Sequence, residues 1–359
     1  MTDDNDKVYV IAEAGVNHNG DPARARAMIE VAAAAGTDAI KFQTFVPEAL
    51  AAASAAKAAY QQRNLGGNDS QLEMLRHLAL DFDSHHDLHA HCATCGIDFL
   101  SSPFDAHSAN FLIDTLRLPV IKLGSGELTN APLLWQLARR DVHLILSTGM
   151  ATLAEVIEAL GVCCLALDGI TPHSPQHCRE AFDATRLQER VTLLHCTTEY
   201  PCPVDQVNLR AMDTLRTQTG LPVGYSDHTA GSTVSLAAVA RGARVIEKHF
   251  TLDRSLPGPD HAASLEPAEL TSMISAIREV SLALGSADKT PSAGERSNAA
   301  VARKSLVAAR AVRRGELFDA ASLTVKRPGN GIAPLRYWSL LGTPADRDYA
   351  ADELIGDAP

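Results

Sequence analysis

A short apolar strand, a capped helix and a second strand follow one another in the first 44 residues, and the same unit then recurs along the chain. Such a repeat restricts the fold to a parallel sheet wrapped in helices. Residues 8–14 are apolar and β-branched, Asp21 and Pro22 supply an N-cap and a first-turn proline, a helical run leads to Gly36, and residues 38–44 form the next strand. Further strands are expected at 97–102, 119–123, 143–147, 191–197, 222–226 and 244–250. Helices are expected between them, after Asp105, Asn130, Thr152 and Ser232, and over 267–284. Eight strand–helix units predict an α/β fold of the (β/α)8 (TIM) barrel type, whose usual length is about 250 residues. A doubly wound sheet of six strands would leave two strands over.

Residues 47–80 and 165–189 interrupt the rhythm. The first insertion follows a strand, so it could cover a site at the strand ends; the second follows a helix and belongs to the opposite face. Past residue 285 the texture changes. The reading divides the chain into a barrel over 1–285, a polar linker over 286–300 and a small domain over 301–359.

The chain has 32 Lys+Arg against 43 Asp+Glu, a formal net charge of −11. That balance opposes a nucleic-acid partner, because such binding neutralises many phosphates at once. Apolar stretches are too short to span a bilayer and the first residues are acidic where a signal peptide is basic, so no membrane role and a cytoplasmic location are expected. The seven cysteines are expected to be reduced thiols.

Polar residues gather where the strands end: Glu13, Lys41 and Gln43, Ser101 and Ser102, Lys122, Ser125 and Glu127, Ser147, Thr198 and Tyr200, Ser226 and His228, and His249. Barrel enzymes build their active sites at this face from several strands. Lysines inside apolar strands need a counter-charge. For Lys41 and Lys122 this is either a bound phosphate or carboxylate, with the Gly124–Ser125–Gly126 turn donating to the same anion, or a pair of buried bridges to Glu13 or Glu127. Side chains alternate along a strand, so Ser226 shares a face with His228, and Glu247 with His249. Two imidazoles on neighbouring strands suit a divalent ion such as Mn2+ or Zn2+; hydrogen-bonded core histidines are the alternative. The cluster from His85 to Cys95, with its CxxC, precedes a strand and reads as an outer surface helix, and His173, His177 and Cys178 read likewise.

Several blocks then carry a resemblance: IAEAGVNHNGD (11–21), IKFQT (40–44), KLGSGE (122–127), STGM (147–150), HCTTEYP (195–201), GYSDHT (224–229), and EKHFTLDR with GPDH (247–261). In this order they resemble the sialic acid synthase family, and VKRPGNG (325–331) resembles its antifreeze-like, or SAF, domain. The resemblance implies condensation of phosphoenolpyruvate with an open-chain 2-acetamido sugar, releasing phosphate and a 3-deoxy-2-keto acid. It implies that Lys41, Ser102, Lys122, Ser125, Ser147, Thr198 and Ser226 hold phosphoenolpyruvate. Ser102 and Thr198 stand where many members carry Thr and Asn. His228 and His249 would bind a divalent metal, Mn2+ with Mg2+ or Co2+ as alternatives. Glu13 and Glu127 would be the catalytic carboxylates, and Gln43, Tyr200 and Asp260 would hold the sugar. The family further implies a domain-swapped homodimer in which Arg327 reaches the sugar's N-acetyl group in a partner's barrel; a tight turn is the plainer reading of RPGNG. The acceptor is expected to be N-acetylmannosamine or a 2,4-diacetamido-6-deoxy sugar, giving N-acetylneuraminate or N,N'-diacetyllegionaminate, with pseudaminate as the alternative product. Residues 59–75 resemble the neuraminate/legionaminate branch. Readings of other classes are a retro-aldol lyase with Lys122 as Schiff base, and a non-catalytic binding protein.

Overall fold

The computed structural model describes residues 7–58, 61, 62, 64 and 70–356. Part of the resemblance to the neuraminate/legionaminate branch, at residues 59–75, therefore lies outside the described residues. The chain divides into two compact units, Met1–Gly285 and Ser286–Pro359.

In the first unit eight parallel strands run in the order β3-β2-β1-β8-β7-β6-β5-β4, and β3 and β4 are themselves neighbours, so the sheet closes into a TIM barrel. The strands are β1 (Tyr9–Gly15), β2 (Ala39–Thr44), β3 (Asp98–Pro103), β4 (Val120–Leu123), β5 (His143–Ser147), β6 (Val191–His195), β7 (Val223–Asp227) and β8 (Val245–His249). Most helices start on a side-chain cap. Asp21 accepts from the amides of Ala23 and Arg24, and Thr152 and Glu155 close a capping box on the helix Leu153–Leu167. Apolar residues facing outward from the strands, among them Val10, Ile40, Leu144, Leu193 and Ile246, pack beneath the helices in one continuous core.

The first insertion forms the short helices Pro47–Leu50 and Gln71–Leu78, whose apolar side chains join Val16, Phe45 and Phe104 in a separate cluster. The second insertion carries the helix Pro175–Ala181. The helix Phe82–Cys95 corrects one expectation: His85 is fully buried, not a surface residue. His85, Leu88 and Cys92 share the helix face toward the barrel, and the His85 ring lies edge-on to Phe99 and Phe111. Its Nε2 stands 3.2 Å from the Gln43 carbonyl oxygen on β2.

In the second unit β9 (Ser305–Ala308) pairs antiparallel with β10 (Leu323–Lys326) over a core of Leu306, Val312, Phe318, Leu323, Tyr349 and Ile355. The stretch expected to be a plain linker contains the helix Ala293–Ala302, started by a Ser292–Glu295 capping box. Arg327 follows β10, with its Nε donating to the Ala302 carbonyl at 3.1 Å. A Cβ at Gly329 would stand 2.5 Å from Arg303 Cβ and 2.8 Å from Ala299 O, so this turn meets the helix only because residue 329 is glycine.

Candidate active site

The barrel interior is built in layers. The lower layer is an apolar plug of Ile11, Ala39, Leu100, Ile145, Leu194 and Val245, with Val120 against it. On β7 the plug position is Gly224, where a Cβ would collide with the Val245 carbonyl. Side chains alternate with period two, so the next inward position on each strand lies two residues further on. Those positions are Glu13, Lys41, Ser102, Lys122, Ser147, Cys196, Ser226 and Glu247, and all of them except Cys196 line a single cavity of about 310 Å³. One step higher the same alternation brings in Gln43, Phe104, Thr198, His228 and His249. The barrel residues expected at the site line this cavity, including Ser125, Glu127, Tyr200 and Asp260; Ser101 does not, its hydroxyl instead lying 2.7 Å from Thr44 Oγ1. Arg327 belongs to the second unit. The first insertion contributes Leu50, Gln61, Gln71 and Leu75 to the wall, as its place after β2 suggested.

The lysines carry partners. Lys41 Nζ lies 2.5 Å from Glu13 Oε2 and 3.8 Å from Glu247 Oε2, and Lys122 Nζ lies 3.1 Å from Glu247 Oε1. Glu127, the other partner envisaged from sequence, instead accepts from Asn130 Nδ2 at 2.7 Å. Glu247 is the residue that sequence reasoning passed over: it bridges both lysines and accepts from Ser226 Oγ at 2.8 Å. Burial opposes ionisation of Glu247, but Lys122 and Lys41 together hold its carboxyl well below the usual range. Burial wins at Glu13, whose carboxyl stays above the usual range despite Lys41. Burial likewise lifts Glu127, and it lifts Asp260 to about 6. Charges in this layer are thus balanced within the protein, while both ammonium groups still face the cavity.

The paired histidines meet at the mouth. Their ring centroids are 5.6 Å apart, with the Tyr200 ring 4.2 Å from His228 and tilted 34° to it. Burial pushes His228 down to about 4 and His249 well below the ordinary histidine value, so both rings are neutral at pH 7. His228 Nδ1 lies 2.7 Å from the Thr197 carbonyl, which fixes its proton there and leaves Nε2 as an acceptor, 3.4 Å from Ser226 Oγ. His249 Nδ1, Ser147 Oγ and Asp260 Oδ1 are buried with no partner among the described residues. Buried polar atoms are rarely left in that state. Such a layout fits a polar ligand and a cation held by two imidazoles. Among the described residues no three His, Cys, Asp or Glu side chains are grouped to hold a metal by themselves, so ligand or water oxygens must complete the set.

Beside the anion-facing groups, the Ser125 hydroxyl accepts from the Gly149 amide at 3.0 Å and lies 3.1 Å from Cys196 Sγ. Behind β8, fully buried Lys248 pairs with Asp227 at 3.2 Å, and Asp227 also receives Thr229 and Ser235. This network ties down the strand end that carries His228.

Residues 28–289 match the NeuB family and residues 303–358 the SAF domain. The chain is 47% identical to the N,N'-diacetyllegionaminic acid synthase of Campylobacter jejuni over 97% of this chain and 99% of that one. Identity to the pseudaminic acid synthase of the same organism is 31%, over 98% and 95% of the two chains. Among solved structures, N-acetylneuraminic acid synthetase from Leptospira borgpetersenii, in complex with citrate, superposes with a TM-score of 0.67 at 30% identity, covering 82% of this chain and 90% of the other.

Proposed function

The chain belongs to the NeuB family, and from that premise we propose that it condenses phosphoenolpyruvate with a 2,4-diacetamido-6-deoxy sugar, releasing phosphate and N,N'-diacetyllegionaminate. The observation that carries this choice of acceptor is the 47% identity to a legionaminate synthase, against 31% to a pseudaminate synthase. Phosphate release, followed with the diacetamido sugar and with N-acetylmannosamine as alternative acceptors, tests it. Turnover at least 10-fold faster with N-acetylmannosamine would overturn the acceptor assignment.

In this reading Lys41, Lys122, Ser102, Ser125, Ser147, Thr198 and Ser226 hold the carboxylate and phosphate of phosphoenolpyruvate. Gln43, Tyr200 and Asp260 orient the sugar. His228 and His249 would hold a divalent cation, Mn2+ by preference, which when bound supplies Lewis-acid polarisation of the acceptor's aldehyde oxygen. The alkene carbon of phosphoenolpyruvate forms the new bond to the aldehyde carbon, and water adds to the cationic centre left behind. Glu13 or Glu127 takes the water proton, and phosphate departs by C–O cleavage. A buried carboxylate with raised proton affinity suits that step, and Glu13 and Glu127 both have this character.

Arg327 is assigned to the acceptor's N-acetyl group in the barrel of a second copy, within a homodimer. An exposed guanidinium whose Nε is tied to backbone, with no further hydrogen bond among the described residues, supports this reading. Mixing an Arg327→Ala chain with a His249→Ala chain, each expected to be nearly inactive alone, should restore about a quarter of wild-type activity through hybrid dimers. Absence of any recovery after subunit exchange would exclude the swap.

A further inference from the structure

Between the charged floor and the mouth, one wall of the cavity differs in character. Gln71 and Leu75 stand one helical turn apart on Gln71–Leu78 and both line the cavity, beside Leu50 and Phe104. The wall is rigid. The helix start is fixed by a Ser70–Glu73 capping box, and the Gln71 amide N–H donates to the Ala55 carbonyl at 3.3 Å. Leu75 packs with Val16, Met74 and Leu78, and Phe104 is held edge-on by Phe45 at 6.2 Å.

Of the two carboxamides on this wall, Gln61 already accepts from the Ala58 amide at 2.9 Å, and the Gln71 carboxamide beside three apolar side chains is a poor match for a sugar hydroxyl and a good match for an acetamido group. The Gln71 side chain can both donate to the acetamido carbonyl and accept from its N–H, while the methyl meets carbon. Location points the same way. Leu50 follows β2 and Phe104 follows β3, whereas the paired histidines end β7 and β8, on the other side of β1. An acceptor with its aldehyde at the histidines presents its far half to this wall.

We propose that Gln71, Leu75, Leu50 and Phe104 form a subsite for an acetamido group carried on the half of the acceptor remote from its aldehyde. This rests on the synthase reading above and assigns its acceptor preference to particular side chains.

The test uses the full chain with three acceptors: N-acetylmannosamine, its 6-deoxy analogue and the 2,4-diacetamido-6-deoxy sugar. Most of the gain in kcat/KM, about 10-fold or more, should come with the 4-acetamido group and little with loss of the 6-hydroxyl. Gln71→Leu should cut kcat/KM for the diacetamido sugar about 10-fold more than for the 6-deoxy analogue, mainly through the acceptor KM. Phe104→Leu should narrow the same ratio, and its residual turnover reports that the barrel is intact. An unchanged ratio in both variants, or a gain that arises at position 6, overturns the subsite. Failure of phosphate release with every acceptor would instead overturn the synthase reading.

Discussion

Replacing Lys122 by methionine should lower kcat/KM for phosphoenolpyruvate about 1,000-fold, since one preorganised cationic donor to a charged reacting group is typically worth 10²–10³. It should also destabilise the barrel, because among the described residues Glu247 then keeps Lys41, at 3.8 Å, and Ser226 as partners. Breaking a buried ion pair costs about 3–5 kcal/mol, which for a domain of this size lowers Tm by about 10 °C. The two effects can be separated. In a Lys122→Met/Glu247→Gln double variant the stranded charge is gone, so Tm should return to within a few degrees of wild type. Activity should stay low, because the cation that faces the cavity is still missing. If activity returned together with stability, Lys122 would be a structural bridge and the anion site would be wrongly placed.

The second large effect concerns the histidines. Dialysis against a chelator should abolish turnover, and Mn2+ should restore it, while Tm measured with no metal present changes by only a few degrees. His228→Ala and His249→Ala should each lower kcat more than 1,000-fold and reduce bound Mn2+, measured by elemental analysis, from about one per chain to below about 0.1. The geometry behind this is specific: the Thr197 carbonyl holds the His228 proton on Nδ1, and His249 Nδ1 has no partner among the described residues. Full activity in the double histidine variant would rule out a metal at this place.

The barrel and most of its polar layer were legible in the sequence, because both obey simple periods. Strand spacing gave the eight units, and the step of two from each plug residue leads directly to Glu13, Lys41, Lys122 and Ser147. The same step from Val245 leads to Glu247, and from Leu194 to Cys196. Glu247 was overlooked as a site residue since a carboxylate that pairs with lysines across the barrel shows itself only once β2, β4 and β8 are closed into a ring. His85 was misread because the cluster was judged by its place before β3, which puts the helix outside the barrel but says nothing of which face packs inward; its spacing to Leu88 and Cys92 marks the buried face. The insertion was recognised as a cover by its position, but which of its faces meets the cavity depends on packing against Val16, Phe45 and Phe104, which are distant in sequence. The helix Ala293–Ala302 had a readable signal in its capping box that the Gly, Pro and Ser content of the stretch concealed.

The proposed reaction joins phosphoenolpyruvate to an acetamido sugar in this cavity, with departure of phosphate by C–O cleavage. The most direct measurement uses phosphoenolpyruvate labelled with 18O in its bridging oxygen, incubated with the chain, Mn2+ and the diacetamido sugar, with both products read by mass spectrometry. The expected result is acceptor-dependent formation of a nine-carbon keto acid without label and of phosphate carrying all of it. Label retained in the sugar acid, or the same acid formed from pyruvate with no phosphoenolpyruvate present, would contradict the claim, the latter in favour of a Schiff-base aldol reaction.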